Sequence, residues 1–371
     1  MDGHIRNLRI STFRGIRNLE LRDLGPVNIL TGDNNCGKTS VLEVIESLEG
    51  PDNLETWRGL LRRQARVPIM VGGITLYEGF SDLFNINDYD KMIEYDVEME
   101  HGSCHNWKIK FDEKEEQLTK HEIDILKNAP VSIVEEGSKE SEEELYDVTK
   151  AEISFLMDEN LIHSAVLYDF QFRFFLDKNR DMTSLAKVRY ISPTQHADGN
   201  IFLSKVLDDP ELYQEMLEVL QEFDPDIISI NYVRQESRYG GIYKILAKGQ
   251  KRALPLNVYG DGMKKAILLM SAAVASKDGI LLLDEFETAI HTTAMSRMFA
   301  WILRTCYKLN VQLFLTTHSL EALDKVLKCC PELQDEMKVY TLYRKEQEVV
   351  VRSLSGRKAI EAKDEMGLEL R

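Results

Sequence analysis

The run GDNNCGKTS at positions 32–40 combines glycines, a lysine and a threonine at the spacing of a phosphate-binding loop. Gly32, Gly37, Lys38 and Thr39 fit the pattern G-x-x-x-x-G-K-[ST]. In this pattern, glycines let backbone N–H groups point at phosphate oxygens, the lysine reaches the β and γ phosphates, and the threonine hydroxyl binds Mg²⁺. The sequence therefore predicts a site for ATP and Mg²⁺. Its predicted nucleotide-binding residues are Gly32, Asn34, Asn35, Gly37, Lys38, Thr39 and Ser40.

A pair of carboxylates follows an apolar run far along the chain. Residues 280–283 (ILLL) are typical of a buried parallel strand, and Asp284 and Glu285 come directly after it. The carboxyl end of such a strand is where α/β sheets bind ligands. We expect Asp284 to bind Mg²⁺ together with Thr39, and Glu285 to be the catalytic base that orients the attacking water.

Two further segments carry candidate phosphate contacts. The apolar run of residues 311–317 ends at His318, which could hydrogen-bond a γ-phosphate and is the second candidate catalytic residue. In VYGDGMKKAILLMSAAVAS (258–276), Gly260 and Gly262 precede a predicted helix. The positive N-terminus of a helix after such a turn is a second anion site.

The elements around these residues have the patterns of an α/β protein. An apolar strand at 27–31 leads through the glycine loop into an amphipathic helix, and residues 4–25 alternate around Arg14-Gly15 as in a β-hairpin. The long gap between Lys38 and Asp284 predicts an inserted lobe. We expect a core formed by residues 1–50 plus 250–371, and a lobe of residues 51–249.

These motifs resemble the ABC-type ATPase heads of the RecF, SMC and overcoming-lysogenization-defect (OLD) group, and most closely the OLD-like AAA-family ATPases of bacterial anti-phage systems. The resemblance is carried by FRGIRNLEL, GDNNCGKTSVLE, YGDGMKKAILL, ILLLDEFETAIH, TTHS and the closing GLELR. It implies an α/β ABC-type P-loop ATPase head with a mixed or parallel sheet core, an N-terminal antiparallel β part and an inserted α+β lobe.

The same resemblance implies roles for the motifs. Residues 32–39 would be the Walker A loop, Asp284 and Glu285 the Walker B pair, and His318 the switch histidine. It also implies a homodimer or higher oligomer, in which a signature loop acts on the nucleotide of the partner. The signature residues would be Gly260, Asp261, Gly262 and Lys264.

The sequence departs from the family pattern in three ways. Where transporter-type signatures begin with serine, Tyr259 or Asn257 stands nearest, so the trans contact could come from the two glycines or from Lys264 and Lys265. The glutamine loop has three candidates: Gln64, Gln171 and Gln195. The chain ends about 50 residues after His318, too soon for the nuclease domain of larger OLD proteins.

The predicted lobe contains two charged segments. Arg58, Arg62, Arg63 and Arg66 could contact nucleic acid, although a solvated helix face is the simpler interpretation. Residues 135–147 (EEGSKESEEELYD) are strongly acidic and predict a mobile linker, which could also dock a basic partner.

Composition limits the class of protein. The 371 residues carry a formal net charge of −16, so nucleic acid would need a local basic patch. No apolar run has the length of a membrane span, and the start does not resemble a secretory signal. Five cysteines without paired spacing predict a reducing, cytoplasmic location without a membrane.

Three functions remain open on these grounds. The first is an ATPase that senses an invader and controls a separately encoded effector, a nuclease or toxin, in anti-phage defence. The second is a RecF-like repair ATPase acting directly on DNA, and the third is a nucleotide-gated scaffold with little turnover. A transporter motor is a more distant fourth. The hydrolytic base predicted at Glu285 favours turnover, and the negative charge favours the first function over the second.

Overall fold

A computed structural model describes residues 3–61, 75–85, 90–128, 144–171, 182–193, 195, 201–234, 241–290, 292–345 and 348–366. The strands are β1 (Ile5–Phe13), β2 (Ile16–Leu21), β3 (Val27–Gly32), β4 (Met92–Met99), β5 (Cys104–Thr119), β6 (Leu145–Met157), β7 (Asn160–Tyr168), β8 (Val188–Ile191), β9 (Ile227–Arg234), β10 (Gly241–Ala247), β11 (Leu254–Pro255), β12 (Ile280–Leu283), β13 (Gln312–Thr316), β14 (Met337–Lys345) and β15 (Glu348–Ser355). The α-helices are α1 (Lys38–Ser47), α2 (Leu54–Leu61), α3 (Leu76–Ser81), α4 (Lys120–Asn128), α5 (Ser204–Leu207), α6 (Pro210–Leu220), α7 (Asp261–Ala275), α8 (Thr292–Lys308), α9 (Leu320–Cys329) and α10 (Gly356–Met366).

The central sheet has the strand order β15-β14-β3-β13-β12-β8. Its strands from β14 to β8 pair in parallel, and β15 is antiparallel to β14. The apolar strands β3, β12 and β13 are buried along their whole length because both faces of the sheet are covered. The carboxyl ends of β3, β12, β13 and β8 therefore meet at one edge.

A second six-stranded sheet covers one face of the first. It is antiparallel, with the order β2-β1-β4-β5-β6-β7. The helix α1 packs between the two sheets, in a core that runs from Leu8 and Trp107 to Phe314. On the other face, α7 and α8 pack against the central sheet in a separate core that includes Leu281. The α/β class and the mixed sheet agree with the prediction.

The predicted division into a core of residues 1–50 plus 250–371 and a lobe of residues 51–249 stays a prediction. The strands β4 to β7 extend the sheet that β1 and β2 begin, and β8 is the edge strand of the central sheet. Backbone hydrogen bonding therefore joins residues on either side of the predicted boundary near residue 50. The end of the predicted acidic linker is also structured, since Leu145 opens β6, while residues 135–143 lie outside the described residues.

Two buried side chains of the central sheet bond to the backbone of the antiparallel sheet. Gln312 accepts from the Ile5 N–H at 2.8 Å and donates to the Ile5 carbonyl at 2.8 Å and the Gly25 carbonyl at 3.2 Å. Tyr340 donates to the Arg22 carbonyl at 2.8 Å. The side chains of Gln312 and Tyr340 are 2% and 1% exposed, so water does not compete for these bonds.

In the part of the chain that the structure describes, no helix is long and apolar enough to cross a lipid bilayer.

We expect Gln312→Leu to lower the free energy of unfolding by roughly 2–4 kcal/mol, because it leaves the buried Ile5 N–H and carbonyl without partners. Chemical denaturation measures the change. The matched control is Gln117→Leu, whose side chain lies on the exposed part of β5 and should cost less than about 1 kcal/mol. Equal losses in the two variants would show that Gln312 does not join the sheets.

Candidate active site

The glycine loop has a backbone that only glycine adopts without strain. Gly32 has a φ of +131° and Gly37 a φ of +96°. A Cβ at Gly32 would lie 2.0 Å from the Leu342 carbonyl oxygen, and one at Gly37 would lie 2.9 Å from Ile16. Gly37 precedes the first residue of α1, so the positive end of that helix opens at the loop. The loop is therefore shaped for an anion.

Lys38 is held against the floor of this loop. Its Nζ donates to the carbonyls of Gly32 at 2.7 Å and Asp33 at 2.8 Å, and lies 3.2 Å from His318 Nδ1. The side chain is only 5% exposed. Burial lowers the pKa of the Lys38 ammonium, while Cys36, Asp284 and Glu285 oppose that shift through their charges.

Asp284 is the most heavily bonded group of the site. Three hydroxyls donate to its buried carboxylate: Thr316 Oγ1 at 2.6 Å, Tyr190 at 2.7 Å and Thr39 Oγ1 at 3.2 Å. The donors come from β13, β8 and α1. The Thr39 hydroxyl and the Asp284 carboxylate are neighbouring oxygen donors, which is the chemistry that Mg²⁺ prefers. Tyr190 and Thr316 were not predicted as site residues, because only tertiary structure brings their strands beside β12.

Glu285 has a backbone that is unusual for its residue type. Its φ is +43°, and its N–H donates to Thr316 Oγ1 at 2.8 Å. A non-glycine residue in this region of φ carries local strain, which is common at functional sites. The side chain is 43% exposed, and its Oε1 lies 3.6 Å from His318 Nε2. The turn thus directs the second carboxylate away from the Asp284 cluster and toward the histidine.

A cavity of about 650 Å³ contains most of the predicted nucleotide-binding residues. It is lined by Gly15, Ile16, Asn34, Asn35, Cys36, Gly37, Lys38, Thr39, Ser40, Glu285, His318 and Arg344. Four of these are outside the predicted site residues: Gly15 from the β1–β2 turn, Ile16 from the start of β2, Cys36 within the glycine loop and Arg344 from β14. Arg344 Nη2 donates to the Gly15 carbonyl at 3.2 Å, so the rim of the cavity at the β1–β2 turn is cationic.

The candidate signature residues lie at the start of α7 and do not line this cavity within the described residues. Gly260 precedes the helix, and Asp261 is its first residue. Lys264 forms an ion pair with Asp261 at 2.7 Å, so its charge is partly neutralised within the protomer. A Cβ at Gly262 would lie 3.1 Å from the Ala289 carbonyl oxygen, which explains the glycine by close approach to the turn after Glu285.

Lys265, an alternative trans contact in the sequence-based interpretation, lies inside its own protomer. Its side chain is completely buried, and its Nζ donates to the carbonyls of Ser192 at 3.0 Å and Pro193 at 3.3 Å. Burial lowers its pKa to about 8, although Asp284 and Glu285 favour the charged form. Lys265 therefore connects α7 to the loop after β8 and cannot reach a partner molecule.

Glu287 is another residue that sequence reasoning missed. Its Oε1 accepts from Thr317 Oγ1 at 2.8 Å and from the His318 N–H at 3.2 Å. These bonds connect the turn after β12 to the loop after β13, so they position His318. Its place two residues after Glu285 was the available signal, but spacing does not show which loop lies opposite.

The remaining predicted residues are distributed as follows. Among the candidates for the glutamine loop, Gln195 follows β8 beside the cluster, whereas Gln171 donates to the Leu126 carbonyl at 3.3 Å in the antiparallel lobe. Arg58 pairs with Glu55 on α2. Gln64, Arg62, Arg63 and Arg66, and the closing residues 367–371, lie outside the described residues.

The chain is similar to several known proteins. The family model described as "AAA domain, putative AbiEii toxin, Type IV TA system" matches residues 27–324. A Helicobacter pylori (strain ATCC 700392 / 26695) protein named ATP/GTP phosphatase is 26% identical over 380 residues, which cover 95% of this chain and 96% of that protein. An uncharacterized Methanocaldococcus jannaschii protein is 28% identical over 112 residues, covering 30% of this chain and 98% of that protein.

Among solved structures, the chain is similar to the Smc head domain with an extended coiled coil from Pyrococcus furiosus, which was crystallised with the C-terminal domain of ScpA. The TM-score is 0.51 at 12% identity, with 98% of this chain and 100% of that chain covered. This likeness shows the fold of an ABC-type P-loop ATPase head, as the sequence predicts.

We expect Lys265 to make stability depend on pH above neutrality. Its ordinary pKa of 10.5 applies in the unfolded chain and about 8 in the folded protein, so between these values the unfolded chain holds more protons. Rising pH therefore favours the folded state, by roughly 2 kcal/mol between pH 8 and 10. Lys265→Met should remove this gain, whereas Lys277→Met, at an exposed position, should keep it. Chemical denaturation measures the free energy of unfolding at each pH. If it changes with pH in the same way in wild type and Lys265→Met, the lowered pKa of Lys265 is contradicted.

Proposed function

The chain belongs to the family of AAA domains described as putative AbiEii toxins of type IV toxin–antitoxin systems, and we propose that it is an ATP-driven switch that controls a separately encoded effector in anti-phage defence. This proposal builds on the ATPase activity of the chain. The chain is an ATPase of the AAA and ABC type, as predicted, and its Helicobacter pylori relative carries the name ATP/GTP phosphatase.

The observation that carries the proposal is the convergence of five groups from three distant segments of the chain. Contacts of 3.2 to 3.6 Å join Asp284 to Thr39, Lys38 to His318 and His318 to Glu285. A phosphate cradle, a buried carboxylate, an exposed carboxylate and a histidine form the set that phosphoanhydride hydrolysis needs. A strand ending in an acidic turn for structural reasons alone would not require the other three groups.

The residues divide the work of hydrolysis. We assign the binding of the β and γ phosphates to Lys38, which exchanges the carbonyls of Gly32 and Asp33 for phosphate oxygens. Thr39 and Asp284 are the residues that would hold Mg²⁺, which neutralises charge on the phosphates. Glu285 accepts a proton from the attacking water because its carboxylate is exposed to the cavity and is not used by the hydroxyls around Asp284. His318 lies between Lys38 and Glu285, where it can contact the γ-phosphate.

The same groups can transmit the state of the nucleotide. Thr316 donates to Asp284 and accepts from the Glu285 N–H, and Glu287 holds the backbone of His318. A change at the γ-phosphate therefore reaches the turn after β12, against which Gly262 and the start of α7 pack. We assign Gly260, Asp261 and Gly262 to a trans contact, because α7 presents a helix N-terminus that its own cavity does not use. Two protomers would then enclose two nucleotides.

Control of an effector is supported by the kind of system to which the family is attributed. Its description names a putative toxin of a toxin–antitoxin system, which is a two-component arrangement. The antiparallel sheet from β4 to β7 offers an extended surface on the lobe, and its core joins that of α1 directly after the glycine loop. A partner bound to this sheet would be connected to the nucleotide through the core that contains α1. The RecF-like alternative has weaker support, since the described Arg58 is paired with Glu55.

We expect Lys38→Ala and Glu285→Gln to separate nucleotide binding from turnover. Lys38→Ala should lose ATP affinity, because a charge on the β and γ phosphates is removed. Glu285→Gln should keep ATP bound, lose hydrolysis by about 10²-fold or more, and accumulate a dimer in light scattering. Steady-state hydrolysis and nucleotide titration measure both effects.

Two matched controls complete this experiment: Lys277→Ala, and Glu321→Gln on the exposed start of α9. Both should hydrolyse ATP at the wild-type rate. Wild-type turnover in Glu285→Gln would show that another group is the base. A monomeric Glu285→Gln protein with bound ATP would reject the trans role of α7 while leaving the ATPase assignment intact.

Effector control predicts stable association in cells. The protein encoded beside this chain should co-purify with the wild-type ATPase, and phage protection should be lost in both Lys38→Ala and Glu285→Gln, because neither completes the nucleotide cycle. Glu321→Gln should protect like wild type. Protection of cells by this ATPase alone, or cleavage of nucleic acid by the purified chain, would contradict the division of labour.

A further inference from the structure

A second, smaller cavity lies along the edge strand of the central sheet. Its volume is about 280 Å³, and its lining comes from the residues just after α1 and α7, from β8 and the residue before it, from the segment after β8 and from the start of β12. The lining residues are Glu49, Lys187, Val188, Arg189, Tyr190, Gln195, Phe202, Ser276 and Ile280. It shares no lining residue with the ATP cavity.

Arg189 is fixed in this cavity without full hydrogen bonding. Its guanidinium carbon lies 3.8 Å from the centroid of the Phe202 ring, which is a cation–π contact at close range. Its Nε is shielded from solvent and has no hydrogen-bond partner. The guanidinium has further N–H donors in a planar fork and Arg189 lines the cavity, so the position favours a ligand that supplies acceptors. The ring holds the guanidinium in place, which lowers the entropy lost when that ligand binds.

The electrostatics of the cavity also favour an anion. Lys187, directly before β8, and Arg189, on β8, contribute two positive charges, against the single carboxylate of Glu49. Burial raises the pKa of the Glu49 carboxyl, which weakens the competing negative charge, although Arg189 and Lys187 oppose that shift. The excess of cations in this cavity contrasts with the net charge of −16 of the whole chain.

The volume limits the ligand to a compact group. At about 30 Å³ per water molecule, 280 Å³ corresponds to roughly nine waters. This is less than half of the 650 Å³ of the ATP cavity and too small for a nucleoside triphosphate. It suffices for inorganic phosphate, a small phosphomonoester or a short carboxylate.

We propose that this cavity is a binding site for a compact anion, a phosphate or carboxylate group that Arg189 and Lys187 hold together. The anion accepts from the Arg189 guanidinium and from the Lys187 ammonium, and Ser276 and Gln195 line the same cavity. Both cations belong to this chain, so the proposed anion site does not depend on the proposed control of an effector.

The position of the site connects it to the ATPase centre. Tyr190, the residue next to Arg189, lines the cavity and donates to the Asp284 carboxylate at 2.7 Å. Gln195 accepts from the Ser192 N–H at 3.3 Å, in the loop whose carbonyls bind Lys265. A bound anion therefore contacts a strand and a loop that both reach the Asp284 cluster, so occupancy can be communicated to the nucleotide site.

The test uses the Lys38→Ala protein, in which the phosphate affinity of the glycine loop is reduced. Inorganic phosphate, phosphoserine and glutarate are titrated separately at constant ionic strength, and the melting temperature is followed. We expect at least one of the three probes to raise the melting temperature in a saturable way. Lys187 is exposed, so Lys187→Glu should be tolerated. Adding it to Lys38→Ala should weaken the apparent affinity for that probe at least tenfold. Arg189→Met should weaken it as strongly, while Lys277→Glu should leave it unchanged.

The three probes distinguish the source of the anion. A response to phosphate and phosphoserine alone identifies a phosphate ligand, and a response to glutarate alone identifies a carboxylate; both support the site. The proposal is overturned if no probe gives more than the effect of matched chloride. It is also overturned if the response survives unchanged in Lys187→Glu, a variant that does not touch the buried residues of the fold.

Discussion

The Asp284 carboxylate is buried at the end of β12, where it has lost most of its water, and a buried charge is stable only when donors replace that water. Hydroxyls from α1, β8 and β13 supply them. The Asp284 carboxylate therefore holds three elements together. These bonds position the glycine loop, the strained turn at Glu285 and the loop that carries His318. The two carboxylates, adjacent in sequence, thereby acquire different environments, one enclosed by donors and one open to the cavity.

The packing of two sheets around α1 explains how such a cluster stays in register. The helix after the glycine loop cannot move independently, because it lies in the core that joins the central sheet to the antiparallel sheet. Gln312 and Tyr340 add directional bonds between those sheets, at positions where a shift of one residue would leave buried backbone groups unpaired. A partner that acts on the antiparallel sheet would therefore act on α1 as well.

The edge strand β8 is the element with the most connections to function beyond the nucleotide loop. It supplies Tyr190 to the Asp284 carboxylate, leads into the loop that binds Lys265, and carries Arg189, which lines the smaller cavity together with the preceding Lys187. An edge strand has one side without a neighbouring strand, and that side is available to ligands. Its other side is hydrogen-bonded to the sheet, here to β12. This arrangement places a second site beside the first without sharing any residue.

Much of the candidate nucleotide site could be predicted from the sequence alone, because its chemistry depends on local spacing. A glycine turn that opens a helix, an apolar strand that ends in two carboxylates and a strand that ends in histidine each specify their own geometry within about ten residues. The tertiary structure decided everything that depends on which strands are neighbours. The hydroxyls of Tyr190 and Thr316, the burial of Lys265, the role of Glu287, the cationic rim at Arg344 and the continuity of β1 with β4 all arise from pairings between distant segments. Periodicity identifies a strand and its buried face, but the partner of an edge is chosen by the packing of the whole chain.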